Sequence, residues 1–190
     1  MSFVGEEPTP GVGLFGPSVD AFDQRAEQLL EIIRSSKVAG RVFLAASHLG
    51  DFSVVWHLIA VARGTTSNKR ATQAFALSAL LGAESLIVNQ GVKRLFKRER
   101  PTTSGDGRFE VRTPSTSSFP SGHASAAIFA ATVLTTLDGK KSAPLWFGLA
   151  AIVGTSRAFV RIHHASDVIG GALVGLLLGL AVRPIVKLLR

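Results

Sequence analysis

Five long apolar segments, at roughly 42–62, 71–92, 122–137, 144–160 and 168–189, alternate with short polar connections along this chain. Hydrocarbon offers backbone amides and carbonyls no partner, so a segment that enters it must close its own hydrogen bonds, as a helix does. Crossing takes about 20 mostly apolar residues. The first, second and fifth segments reach that length. The third reaches it only by starting inside Pro120-Ser121-Gly122-His123, and the fourth only by including Ser156 and Arg157. Helix ends that carry polar residues into a cavity account for both. The expected fold is all-α: a transmembrane helical bundle of about five spans plus an N-terminal amphipathic helix, multi-pass in the cell membrane.

Residues 1–18 are rich in Gly, Pro and Glu and read as irregular. Ser18 is placed to cap a helix starting near Val19, with Asp20 and Asp23 favourable in its first turn. Phe22, Leu29, Leu30, Ile32 and Ile33 then share the stretch with Asp23, Arg25, Glu27, Glu31 and Arg34. Such a helix is too polar to span and is expected on the membrane surface or against the bundle. The chain therefore divides into an N-terminal segment, 1–40, and a membrane domain, 41–190.

The net charge is +8, yet only 18% of residues are charged, and they cluster between the apolar runs. Short basic loops between spans produce that pattern. A nucleic-acid binder is also basic, but it has no use for continuous apolar segments, so a nucleic-acid partner is not expected. The chain has no cysteine, which rules out disulfides, thiolate nucleophiles and cysteine metal ligands. Gly171, Gly175 and Gly179 recur every four residues in the last segment, a stripe suited to close helix packing.

Three polar clusters border these segments: Lys93 to Pro101 (KRLFKRERP), Pro120 to His123 (PSGH) and Ser156 to Asp167 (SRAFVRIHHASD). Counting antiparallel spans puts all three at one membrane face. Together they suit a phosphate group, whose transfer depends on positioning and on neutralising charge over its oxygens. Lys93, Arg100 and Arg157 supply cations, with arginine able to fork onto two oxygens. Ser121 offers a hydroxyl, and the amides of Gly122 and His123 can face an anion if they open a helix. His163 and Asp167, four apart, share a helix face, so the carboxylate can orient the imidazole. His163 then serves as nucleophile on phosphorus, and His123 as the acid that protonates the leaving oxygen and later the base that activates water. Cationic side chains supply the electrostatics, and neither a metal nor another cofactor is required.

The three clusters resemble the signature of the type 2 phosphatidic acid phosphatase (PAP2) superfamily, in its membrane lipid phosphatase branch. That signature is K-x6-R-P, P-S-G-H and S-R-x5-H-x3-D. Here it reads Lys93…Arg100-Pro101, Pro120-Ser121-Gly122-His123 and Ser156-Arg157…His163…Asp167, within a resemblance covering roughly 70–185. The resemblance implies a helical bundle and metal-independent dephosphorylation through a phosphohistidine. It makes Lys93, Arg100, Ser121, Gly122 and Arg157 substrate phosphate ligands, His163 the nucleophile, Asp167 its partner and His123 the acid. The implied substrate is a polyprenyl or phosphatidate-type lipid phosphate or diphosphate.

Two places depart from the family pattern. Arg161 stands where many members have glycine, and His164-Ala165 where many have an aromatic-proline pair. Arg161 adds a cation suited to a second phosphate or a sugar-phosphate headgroup. Asp51 and Glu84 lie inside apolar segments, where carboxylates are costly; polar partners between helices are the expected role of both. His48 and His57 read as interhelical hydrogen-bonders. The competing functions are a non-enzymatic lipid-headgroup binder and a vanadate-dependent haloperoxidase-like enzyme.

Overall fold

The computed structural model describes residues 10–102 and 107–190. The expectation of an irregular N-terminus falls partly on residues 1–9, and the long loop 98–119 includes 103–106; these lie outside the described residues. The described chain forms helices α1 (Pro17–Arg34), α2 (Lys37–Gly50), α3 (Val54–Gly64), α4 (Asn68–Leu86), α5 (Gly122–Asp138), α6 (Ala143–Phe159) and α7 (Ala165–Leu188). All five apolar segments are helical. Lys37–Gly64, Asn68–Leu95 and Ala165–Leu188 are long and apolar enough to cross a membrane. Helices α5 and α6 have 17 residues each, about 26 Å at 1.5 Å per residue. The chain is an all-helical transmembrane bundle.

Helix α5 is its axis. Twelve of its 17 residues are buried, most of them Ala, Ser, Thr or Val. Small side chains let neighbouring backbones come close, the main source of helix association in lipid. Helix α7 uses that freedom. A Cβ on Gly171 would collide with the carbonyl of Ser121, and one on Gly175 with that of Ser125. On Gly179 it would sit 2.8 Å from the Cβ of Thr132. Trp56, Leu77, Leu81, Phe129, Leu134 and Val153 fill the core around α5. Large side chains on the outside, such as Phe75, Leu86, Leu173 and Leu177, are exposed and form the face the bundle turns to lipid.

Polar pairs lock the helices. His57 bonds Ser78 (3.0 Å) between α3 and α4. Glu84 of α4 accepts from the Ser125 hydroxyl of α5. Both carry out the interhelical role expected of them. Arg63 forks onto Asp138 (2.6 and 2.7 Å), tying the ends of α3 and α5.

Helix α1 starts earlier than Ser18 allows. Gly16, at φ 85°, takes the cap position and Pro17 opens the helix, because proline's fixed φ is already helical. Its two buried residues are polar, Asp23 and Arg34, while Phe22, Leu29, Ile32 and Ile33 are exposed. The helix lies with its polar side against the bundle and its apolar side outward, the arrangement of an interfacial helix. Arg34 fastens it by donating to the carbonyls of Phe159 (2.7 Å) and Ala158 (3.0 Å). Those carbonyls belong to the last turn of α6, where helical partners run out; that of Ala158 also accepts from the Arg161 amide (3.1 Å).

Candidate active site

The ends of α2, α4 and α6 and the starts of α5 and α7 meet at one face of the bundle, where all three polar clusters come together. The route to Lys93 runs through a π turn, Ile87–Gly91, and a 3-10 turn, Val92–Leu95, that continue α4. This change of winding, wider and then tighter than an α-helix, leads to Lys93, which is buried with its Nζ 3.4 Å from the Thr116 hydroxyl. Beyond it the chain is extended. Side chains then alternate, so Arg98 and Arg100 point in while Lys97 and Glu99 point out.

Arg100 is held by the carbonyls of Pro114 (3.0 Å), Thr116 (3.1 Å) and Ile162 (2.8 Å). Its Nη1 also stands 3.1 Å from His163 Nε2. Ser121 caps α5, and its amide donates to the Asp167 carbonyl (2.9 Å). The glycine stripe of α7 makes that approach sterically possible. Gly122 opens the helix, and a Cβ there would lie 3.9 Å from Lys93 Nζ. Arg157, on the last turn of α6, is almost fully buried. Its Nη1 donates to the Ser47 hydroxyl (2.5 Å), while its Nε and Nη2 have no hydrogen-bond partner. A buried guanidinium with two idle donors is costly and matches the two oxygens of an incoming phosphate.

His163 sits in the turn before α7 and Asp167 in its first turn. Asp167 Oδ2 is 3.5 Å from His163 Nδ1 and accepts from the Ser118 hydroxyl (2.6 Å) and the His164 amide (2.8 Å). Because Ser118 donates to the carboxylate, it accepts from His163 Nδ1–H (3.3 Å). That assigns the tautomer with a free Nε2 lone pair, directed at the cationic cradle. Burial holds the proton affinity of His163 well below that of an ordinary histidine; Asp167 opposes the shift, and Arg100 and Lys93 add to it. The ring is thus neutral at physiological pH. Burial likewise lowers Arg100. Only His163, not the adjacent His164, touches the Asp167 carboxylate through its ring.

His123 lies on the far side of the cradle with Nε2 3.1 Å from Asp51 and 3.3 Å from the Ser47 carbonyl. Asp51 thus meets the polar partners between helices expected of it, and they are His123 and, at 3.7 Å, Arg157. A cleft of about 510 Å³ bounded by Leu44, His48, Glu110, Val111 and Arg112 opens beside this end of α2. His48 faces it rather than bridging helices. Arg112 there stacks on Phe52 at 4.8 Å. A separate cavity of about 630 Å³ separates α1 from the 161–165 turn; among the proposed catalytic and phosphate-binding residues it touches only His163. Arg161 lines this cavity with His163, a cation near the site as expected. At φ 61° it takes the left-handed conformation that favours glycine, and its Nε pairs with Glu27 of α1 (2.7 Å).

Three positions escaped the sequence reading. Arg98 was one cation among several in its loop, yet it is buried and donates to Asp167 (2.7 Å), Asp23 (2.7 Å) and Ser166 (2.7 Å). The period-2 alternation with Arg100 was the signal available. Ser118 and Ser47 carry none. We expect Arg98→Met to leave Asp23 and Asp167 buried without their cation, at about 3–5 kcal/mol. A thermal midpoint in detergent that does not fall would contradict this; Asp23→Asn added to Arg98→Met is expected to recover part of the loss.

A family model described as the PAP2 superfamily matches residues 73–190. The chain is 32% identical over 154 residues to decaprenylphosphoryl-5-phosphoribose phosphatase of Mycolicibacterium smegmatis, covering 77% of this chain and 82% of that one. It is 30% identical over 134 residues to the protein of the same description in Mycobacterium tuberculosis, covering 70% and 72%. Its fold matches the crystal structure of a transmembrane PAP2-type phosphatidylglycerolphosphate phosphatase from Bacillus subtilis, with a TM-score of 0.71, 23% identity, and coverage of 95% and 92%.

Proposed function

The chain belongs to the PAP2 superfamily and is a membrane lipid phosphatase, and from that premise we propose that it removes the terminal phosphate of a polyprenyl sugar phosphate through a phosphohistidine on His163, without a metal. The domain that does so is 41–190, crossing the cell membrane with five helices, and segment 1–40 lies on it at the interface. The substrate class rests on the relatives described as acting on decaprenylphosphoryl-5-phosphoribose. The chemistry rests above all on one observation: the two idle donors of buried Arg157, in a cradle shared with Lys93, Arg100 and the N-terminus of α5, opposite an imidazole whose lone pair is fixed by Asp167.

Lys93, Arg100 and Arg157 take the phosphate oxygens, with the Ser121 hydroxyl and the Gly122 and His123 amides at the positive end of α5. The Nε2 of His163 attacks phosphorus, forming the N–P bond as the bond to the leaving oxygen breaks. Its Nδ1 proton stays on the ring, and Asp167 stabilises the charge that develops there. His123 gives its proton to the leaving oxygen, then takes one from the water that hydrolyses the phosphohistidine. The leaving headgroup departs on the His123 side, toward the cleft at His48 and Arg112.

The test is phosphate release by the detergent-purified protein with chelator present. The lipids are a polyprenyl phosphoribose phosphate, a C55-type polyprenyl diphosphate, its monophosphate and phosphatidate. Fastest release from the phosphoribose lipid, undiminished by chelator, is expected. Preference for another lipid overturns the substrate class, and loss of release with chelator overturns the metal-free mechanism.

A further inference from the structure

Helices α2 and α3 form one 28-residue span, Lys37–Gly64, broken at Asp51–Ser53. The break is conformationally expensive. Phe52 (φ 51°, ψ 23°) and Ser53 (φ 60°, ψ 25°) are consecutive non-glycine residues in the left-handed region. Such residues cost on the order of 1–2 kcal/mol each and persist where the surroundings hold them. A straight helix would be cheaper and would still cross the membrane. The break therefore needs a reason beyond spanning.

Its effect is to wrap one turn of α2 around His123. Ser47, Gly50 and Asp51 stand at i, i+3 and i+4, on one helix face. The imidazole packs against Gly50, where a Cβ would come within 2.6 Å of the ring Cδ2. Its Nε2 faces the Asp51 carboxylate at 3.1 Å and the Ser47 carbonyl at 3.3 Å. Both are acceptors only, so Nε2 carries the proton. The same turn reaches the phosphate cradle: the Ser47 hydroxyl accepts from Arg157 (2.5 Å), and Asp51 lies 3.7 Å from the same guanidinium. The other charged or titratable groups facing the pair are Arg157 on α6 and His48 on α2.

We propose that Asp51 is the positioning carboxylate of the acid/base histidine: it holds the His123 Nε2 proton, so that the opposite ring nitrogen, Nδ1, gives its proton to the leaving oxygen, and it stabilises the imidazolium. This inference rests on the role given to His123 above. In the first half-reaction the imidazolium's Nδ1 proton passes to the leaving oxygen as the P–O bond breaks, while the Nε2 proton stays on the ring against an ionised Asp51. In the second, water gives a proton to Nδ1 and its oxygen to phosphorus, and the N–P bond to His163 breaks. In both His–Asp pairs the carboxylate takes the proton of one ring nitrogen and leaves the other to the reaction, as a lone pair on His163 and as a proton on His123.

The leaving group separates this role from a structural one. An alkyl phosphate, such as the lipid substrate, needs its departing oxygen protonated. A 4-nitrophenyl phosphate loses a stable phenolate and does not. General acid catalysis contributes typically 10²–10⁴-fold. Asp51→Asn is therefore expected to lower kcat on the lipid about 100-fold, with KM within about twofold of wild type, and to cost the aryl ester less than about fivefold. The alkaline limb of kcat on the lipid should move to lower pH, because the imidazolium has lost its counter-charge. Asp51→Glu should restore part of both. Equal losses on the two esters with an unmoved limb, or wild-type turnover of the lipid by Asp51→Asn, would overturn the proposal. If the wild type does not turn over the aryl ester, the limb on the lipid decides alone. His163→Ala runs beside these variants: release that survives in it sinks the phosphohistidine reading, which is a different failure.

Discussion

His163→Asn is expected to release phosphate on the order of 10⁴-fold more slowly than the wild type, or not at all, while still binding the lipid. The substitution removes the one ring nitrogen that faces the cradle and leaves the cradle standing. Lys93, Arg100 and Arg157 are fixed by carbonyls and hydroxyls of other elements, not by His163 alone. Binding and chemistry should therefore separate, with the KM effect small beside the kcat effect. The wild type, quenched in alkali during turnover of a lipid labelled in its terminal phosphate, should carry label as an acid-labile phosphoamidate that the variant lacks. The pH effect has a definite sign. Burial depresses the proton affinity of His163 from the ordinary value of 6.5, so its lone pair survives below that pH. Labelling at saturating lipid should persist as pH falls through 6.5 rather than halving there. A variant within about tenfold of wild type would remove His163 from the reaction.

The features legible in the sequence were those with fixed spacing. All five apolar runs are helical, because only a helix satisfies backbone groups over such lengths, though the first is broken into α2 and α3. The K-x6-R-P, P-S-G-H and S-R-x5-H-x3-D spacings put seven of the eight proposed site residues on the last or first turn of an element or, for Arg100, on the extended segment that follows one. Turn geometry then brings them together with little left to choose. What could not be read depends on long-range contact. Arg98 differs from Lys97 only in which way an extended backbone points it. Asp51 was expected to find a polar partner between helices, but nothing in His48-Leu-Gly-Asp51 announces that the partner is His123 or that two left-handed residues follow. Helix α1 read correctly as amphipathic, yet its polar face meets protein, and that depends on Asp23 finding Arg98, 75 residues away. Arg161 read as a cation for a second phosphate or a sugar-phosphate headgroup, and nothing nearby in sequence announces its pair with Glu27 of α1.

The same added methyl should have opposite effects at two glycines. Gly175→Ala drives a Cβ into the backbone of α5, overlapping the Ser125 carbonyl oxygen and lying 2.9 Å from its Cα. No side chain can yield there, since the obstacle is main chain, and α5 is buried on nearly every side. The two helices must part. Parting them disturbs the Glu84–Ser125 bond on the other side of α5 and, two turns up, the contact of Ser121 with the Asp167 carbonyl, which seats the phosphate-binding end of α5. Overpacking of this kind costs about 1–3 kcal/mol and occasionally more, a fall of roughly 3–10 °C in thermal midpoint for a chain this size. Activity should fall further than stability, because the cradle shares the displaced helix. Gly148 on α6 meets nothing within 4 Å. There Gly148→Ala only reduces the freedom of the unfolded chain, and should stabilise by about 0.4–1 kcal/mol with activity unchanged. Melting both variants in one detergent decides the matter: equal shifts of the same sign would mean that the close approach of α5 and α7 is not what holds the site together.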